Sequence, residues 1–382
     1  MKNVILFGMG DNGRKILDAY LRCDKYFHII AVADNFSELR EFAGIPVIKP
    51  DSILEFQYDE IWIATIYYCE VRKQLTDGLH IENSRIRYVE YPMPFLEQQI
   101  YTRYKEEIAG TKQCESDELQ EVISYAAGNG MRMYCYSFFD EYMEKEYLVY
   151  LDMESGLYYG IYAGHRMYLS REYNTPKKAE QYIRYICLEQ DHRSPHCYFS
   201  GNFQVGEGET GVDIGAAEGV FALSVINKVD SIYLIEADAG WCEALELTFR
   251  EWRQKVTIIQ GIVSDSSKNG KIVLDELSHR TQIHFMKMDI EGAEMKALIG
   301  ASRLIERDIP KLAVCTYHQM SDYRDISEWL LKRGYTVKSS NGYVVCQGEW
   351  ELEHLAEVDF RRALIFAEET WNEKACGLCA KL

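Results

Sequence analysis

The 382-residue chain has no basic block: 42 Lys and Arg stand against 60 Asp and Glu, for a formal net charge of −18. Binding to nucleic acid needs a positive face that replaces the counterions of phosphate, so no nucleic-acid partner is predicted. An anionic membrane surface is disfavoured for the same reason. No apolar run approaches the ~20 residues that cross a bilayer, so no membrane insertion is expected. Lys2 and the short apolar run behind it pass straight into a glycine loop, which reads as a first strand and not as a signal peptide. The 11 cysteines show no repeating spacing, which predicts reduced thiols and a cytoplasmic location. Cys376 and Cys379 form a CxxC without a second pair, so a frayed tail is expected there in place of zinc. Internal repeats and low-complexity tracts are absent too. What is present is an ordinary globular composition, 47% hydrophobic and 27% charged, long enough for two cores. Tyrosine is abundant at 28, and its ring suits half-buried walls where a polar tip meets solvent or sugar.

Residues 1–95 alternate strand and helix. NVILF, HIIAVAD, Ile45 to Ile48, DEIWIA and RIRYVEY read as strands, and Pro92 and Pro94 close the series. Residues 96–145 read as a charged helical connector with a break at Ala109-Gly110-Thr111. Residues 146–382 open with a small antiparallel β meander (LVYLD, LYYGIYAG, HRMYLS) and a helix that starts at Thr175-Pro176. A second alternation then runs from Thr210 to about Arg333 and finishes in GYTVK, GYVVC and RRALIFA. The predicted fold class is α/β with two Rossmann-like domains, the C-terminal one a parallel sheet completed to seven strands by an antiparallel hairpin.

Each domain has a glycine turn. In the first, Gly8, Gly10 and Gly13 follow a strand and open a helix, and Asp34 lies 21 residues after Gly13. Three glycines in that context admit a pyrophosphate, and the acid holds a ribose diol, so a nucleotide or nucleotide sugar is a candidate ligand. The domain stops after about five strands and is similar to small nucleotide-binding domains found beside bacterial sugar-modifying enzymes. A module kept for docking or dimerisation is the alternative.

The second turn carries more. TGVDIGAAEGVF, SIYLIEAD and HFMKMDIEGAE each bring a carboxylate to a strand's carboxyl end: Asp213, Glu236 and Asp289. Together they predict one crevice suited to S-adenosylmethionine. Gly215, Ala216 and Gly219 let the backbone approach the amino-acid part, and Asp213 meets its ammonium group or a water. Glu236, beside Ala237, is placed for the ribose hydroxyls, Ser264 and Asp265 for the adenine amino group, and Asp289 for the transfer zone. Each has a plainer alternative: a packing turn at Gly215, helix caps at Glu236 and Asp289, a loop residue at Asp265.

These segments, with MKMDIEGAEMKALIGA and LAVCTYH, resemble the FkbM family of S-adenosylmethionine-dependent methyltransferases over residues 180–367 or so. The resemblance implies a class I methyltransferase sheet, cofactor roles for Asp213, Gly215, Glu236 and Asp289, and transfer to hydroxyl oxygens of sugars, polyketides or glycolipids. Glu189, Gln190, Asp191, Ser194, Pro195 and His196 are similar to a segment of one bacterial subset. Ala217 departs from the family, where asparagine is commoner.

Transfer to a hydroxyl needs a base. His318, after the fifth strand of the domain, is the first candidate, with a backbone-satisfied loop histidine as its alternative. His196, on a lid or as a hydrogen-bonded corner residue, is the second, and Asp289 the third. No metal is the expected state. In the alternative, Asp289, Glu291 and His318 hold Mg²⁺ beside vicinal hydroxyls, although Glu291 is expected to point into a helix start. The reading is an O-methyltransferase acting on a sugar or glycan-precursor hydroxyl, free or nucleotide-linked. Its competitors are an NAD-dependent oxidoreductase or epimerase of nucleotide sugars and a non-catalytic nucleotide-binding assembly protein. Exposed edges of the meander leave a homodimer open.

Overall fold

The computed structural model describes residues 1–22, 27–199, 203–279, 281–346 and 358–369, so Cys376 and Cys379 lie outside the described residues. The described residues form two compact units, one from Met1–Lys145 and Val345–Phe360, the other from Glu146–Val344 and the segment beginning at Arg361.

In the first unit, β1 (Lys2–Phe7), α1 (Asp11–Arg22), β2 (Phe27–Ala33), β3 (Glu41–Phe42), β4 (Ile45–Ile48), β5 (Glu60–Ile63), α2 (Tyr68–Lys73) and β6 (Ile86–Tyr88) build a sheet of order β3-β4-β2-β1-β5-β6. The strands pair in parallel except β3, which turns back on β4 through Ala43-Gly44. Both turn residues have positive φ, 50° and 86°, the signature of a two-residue hairpin turn. Alanine there is a weak turn signal, and the sequence reading has no strand at Glu41–Phe42.

The predicted connector is helical. Its helices α3 (Met93–Arg103), α4 (Lys105–Ile108), α5 (Asp117–Asn129) and α6 (Phe138–Met143) belong to the first unit. Phe95, Leu96 and Ile100 are buried, and Phe95 meets Phe27 of β2 with ring centroids 5.2 Å apart. Burying that surface fixes the helix to the sheet.

The second unit begins with the meander β7 (Tyr150–Leu151), β8 (Tyr158–Tyr162) and β9 (His165–Tyr168), followed by α7 (Pro176–Glu189). The Thr175 hydroxyl caps α7 by accepting from Lys178 N at 3.3 Å. Then come β10 (Thr210–Ile214), α8 (Val220–Val225), β11 (Ser231–Glu236), α9 (Ala239–Thr248), β12 (Val256–Gln260), β13 (Phe285–Met288), α10 (Glu294–Gly300), α11 (Ser302–Asp308), β14 (Lys311–Cys315), α12 (Asp322–Leu331) and β15 (Tyr335–Ser339). The last described strands are β16 (Val344–Cys346), β17 (Asp359–Arg361) and β18 (Leu364–Glu369). The seven-stranded sheet runs β12-β11-β10-β13-β14-β18-β15; β18 is antiparallel to both its neighbours and the other pairs are parallel. GYVVC, expected in this sheet, forms β16 and pairs with β17 instead. The backbone reason is visible at Val345, whose N–H donates to Met133 O at 2.9 Å within the first unit.

β10 lies inside the sheet; the chain runs from it outward to β11 and β12 on one side, then returns to β13 on its other side. Such a switch point opens a crevice at the carboxyl ends of the strands.

Candidate functional site

A cavity of about 450 Å³ occupies that crevice. Its wall contains Gly215 to Glu218 after β10, Glu236 and Ala237 at the end of β11, Gly261 to Val263 after β12, Lys287 of β13, and Asp289 just after it. Gly215 has φ 74°, and a side chain there would come within 1.8 Å of Asp289 O. Only glycine lets the two strand ends close to this distance. Glu236 braces the turn: Oε2 accepts from Ala217 N at 2.9 Å and Oε1 from Asp238 N at 2.8 Å. The helix-cap alternatives do not hold. Asp238 caps α9 by accepting from Trp241 N, and the N-cap of α10 is Ala293.

Four predicted cofactor residues, Asp213, Gly219, Ser264 and Asp265, are not on this wall. Gly219 packs away from the wall, and a side chain on it would run into Phe249 and Leu245 at 2.7 and 2.9 Å. Ser264 and Asp265 lie past Gly261 to Val263, which line the wall, and Ser264 Oγ donates to Asp265 Oδ1 at 3.2 Å.

Asp213 is fully buried and faces its register partner Lys287, whose Nζ lies 3.0 Å from Asp213 Oδ1 and donates to Gly215 O at 2.6 Å. The ammonium group expected to meet Asp213 is therefore the protein's own. Burial pushes the Asp213 carboxyl up, and Lys287 pulls it back only in part. Burial also opposes the charge on Lys287, but Asp213 and Asp289 outweigh it and hold the ammonium protonated. Sequence reasoning passed over Lys287, although a lysine inside the apolar strand FMKMD is a signal of a buried partner.

Beside the cavity, acids and imidazoles alternate. His196 Nδ1 lies 3.2 Å from Glu189 Oε1 and its Nε2 3.4 Å from Asp289 Oδ2; His318 Nε2 lies 3.5 Å from Asp289 Oδ1 and its Nδ1 2.9 Å from Glu294 Oε1. Tyr198 OH donates to Asp289 Oδ2 at 2.7 Å. Burial opposes ionisation of Asp289, yet His196, Lys287 and His318 hold its carboxyl far below the usual range, so it is a poor proton acceptor. His196 is fully buried and not on a lid; burial works against its charge, but Glu189 and Asp289 win and raise it. For His318 the balance is the same in sign: burial lowers it, but Glu294, Asp289 and Glu291 lift it to about 9.

The fully buried Glu294, which sequence reasoning missed, starts α10 and accepts from Ile290 N at 2.9 Å. Glu291 does not enter the helix. It sits at φ 54° in the preceding turn with its side chain 92% exposed. The donor atoms of Asp289, Glu294 and His318 lie within 4.8 Å of one another, as do those of His196, Asp289 and Cys315. Glu294 thus joins Asp289 and His318 in one such trio, while Glu291 Oε2 lies 3.6 Å from His318 Nε2.

In the first unit, Gly13 is a packing residue, since a side chain would come within 2.0 Å of Gly8 O. Asp34 accepts from Met9 N at 2.8 Å through Oδ2 and from Phe36 N and Ser37 N at 2.8 and 2.7 Å through Oδ1. The acid expected to hold a ribose braces the glycine turn from its own strand.

The sheet order, its single reversed strand and the crevice at β10 define a methyltransferase-like fold. Residues 212–337 match the family model described as the methyltransferase FkbM domain, and residues 1–87 match the one described as C2185-like, N-terminal. Together these support an S-adenosylmethionine-dependent methyltransferase. Similar solved structures include the methyltransferase FkbM from Methylobacillus flagellatus KT, at 17% identity and TM-score 0.46, with 96% of this chain and 90% of that one covered. Others are precorrin-6y C5,15-methyltransferase from Geobacter metallireducens GS-15, at 14% identity, TM-score 0.30 and coverage of 44% and 84%, and Trm5b from Pyrococcus abyssi, at 16%, 0.33 and 56% of each. No curated protein matches the chain.

Proposed function

We propose that the second unit methylates a hydroxyl oxygen of a sugar or glycan precursor, with S-adenosylmethionine as donor. The observation that carries the reading is the single cavity where Gly215, Glu236 and Asp289 meet at the ends of three adjacent strands. The residues fit the donor: a glycine turn whose backbone lines the cavity, a carboxylate at a strand end for the ribose, and Ile262 and Val263 as an apolar wall for adenine. When bound, the donor supplies an electrophilic methyl group on a positively charged sulfur.

The protein's own task is to orient the acceptor and take its proton. His318 is assigned the base. Glu294 lies against Nδ1 and fixes the ring, which leaves Nε2 directed to the Asp289 side. Asp289 stays anionic beside the transfer zone and, with Tyr198, positions charge and does not accept the proton. His318→Ala is expected to lower kcat by about 10²–10⁴, the usual worth of a positioned base, with S-adenosylhomocysteine affinity unchanged in calorimetry. Equal losses in both would refute the base role. Wild-type protein that binds no S-adenosylhomocysteine would overturn the whole reading.

For the first unit, the assignment of a nucleotide or nucleotide sugar rests on the glycine pattern alone. NAD and a nucleotide sugar, titrated separately, test it.

A further inference from the structure

Glu218 has no role in the account above. It stands on the β10–α8 turn between Ala217 at φ 42° and Gly219 at φ 83°, is 4% exposed, and lines the cavity. Its Oε2 accepts a hydrogen bond from the hydroxyl of Tyr182 on α7. That tyrosine is itself fixed among rings, 4.3 Å from Tyr173 and 5.3 Å from Trp241 between centroids. The groups facing Glu218 are Tyr182 and Glu189 from α7 and Lys287 from β13, and Lys287 is committed to Asp213 and the Gly215 carbonyl. Burial lifts the Glu218 carboxyl to about 7, with Tyr182 pulling the other way. A carboxylate kept dry on a cavity wall is costly unless a cation comes to meet it.

Position says which cation. Glu236 and Gly261 to Val263 stand on the β11 and β12 side of the cavity, and Glu218 stands on the β10 and α7 side. A ligand with its ribose at Glu236 therefore turns its opposite end towards Glu218. We propose that Glu218, held by Tyr182, binds the α-ammonium group at the methionine end of the donor, a contact Asp213 cannot make because Lys287 neutralises it behind the turn. The assignment rests on the methyltransferase reading and adds the residue that recognises the amino-acid end.

Two probes applied to the full chain test it. S-adenosylhomocysteine carries the amino-acid end, and 5′-methylthioadenosine lacks it. In calorimetry, Glu218→Gln is expected to weaken S-adenosylhomocysteine by about tenfold or more, the size of one lost charge-assisted hydrogen bond, and to leave 5′-methylthioadenosine within about twofold. Retained binding of the second probe also shows that the cavity is folded. Wild-type affinity for S-adenosylhomocysteine should rise with pH through about 7, as the carboxyl ionises, and that rise should vanish in Glu218→Gln. Parallel loss of both probes, or no loss of either, overturns the assignment alone. Wild-type protein that binds neither probe overturns the methyltransferase reading and this contact with it.

Discussion

Ala217 holds a left-handed backbone, φ 42°, so that its N–H can reach Glu236 Oε2 at 2.9 Å. An alanine in that region costs roughly 1 kcal/mol, and asparagine tolerates it better, which gives a conformational reason for the asparagine common at this place in the family it resembles. Ala217→Asn is expected to stabilise the protein by about 0.5–1 kcal/mol in urea unfolding, with the slope unchanged. A clear loss of stability would show that the turn is not strained. His318 sets a second expectation at this scale. Its folded value is raised to about 9, so the neutral ring that accepts a proton becomes more populated as pH rises to that value. kcat/KM, which reports the free enzyme, should climb with pH and bend near 9, and a flat profile between pH 7 and 9 would rule His318 out as the base. Gly215, Glu236 and Asp289 were legible in the sequence because a glycine and two carboxylates at strand ends announce themselves. Glu218, Lys287 and Glu294 were not. Their meaning comes from burial and from which strand lies next to which, and neither is written in local spacing.

Elements were legible where period and turn chemistry agreed, as in the Thr175-Pro176 start of α7 and the apolar strands ending in Glu236 and Asp289. They failed where a partner strand decided the outcome. GYVVC has strand composition in either sheet, and a hydrogen bond from Val345 to Met133 O fixes its place. The same dependence on neighbours makes the β10–β13 pairing the sensitive joint of the second unit. Gly211 sits opposite Phe285, and a side chain on it would come within 2.1 Å of that ring. Gly211→Ala should therefore destabilise by about 1–3 kcal/mol through overpacking. Two residues along, Lys287→Met leaves Asp213 buried and unpaired, an expected cost of about 3–5 kcal/mol. Adding Asp213→Asn to Lys287→Met should recover a good part of that loss, because the charge that lacked a partner is gone. Additive losses in the double variant would mean that the pair does not act as an ion pair.

At the scale of the whole chain, composition and structure meet in the electrostatics. The net charge is −18, and the cavity wall carries Glu218, Glu236 and Asp289, while its Lys287 is paired inside the sheet. An acceptor rich in phosphate would have to enter against that field; a neutral polyol would not, and a positively charged donor would be drawn by it. Nucleic acid, a polyanion, is the acceptor class that this charge disfavours most. Fluorescence anisotropy with labelled RNA supplies the measurement. At about 50 mM salt, where non-specific binders gain affinity by releasing counterions, the signal should stay flat to roughly 10 μM protein. Binding that weakens steeply as salt is added would reveal a positive surface that the composition does not lead one to expect. The acceptor would then be sought among nucleic acids, and the sugar hydroxyl reading would fall while the donor site stood.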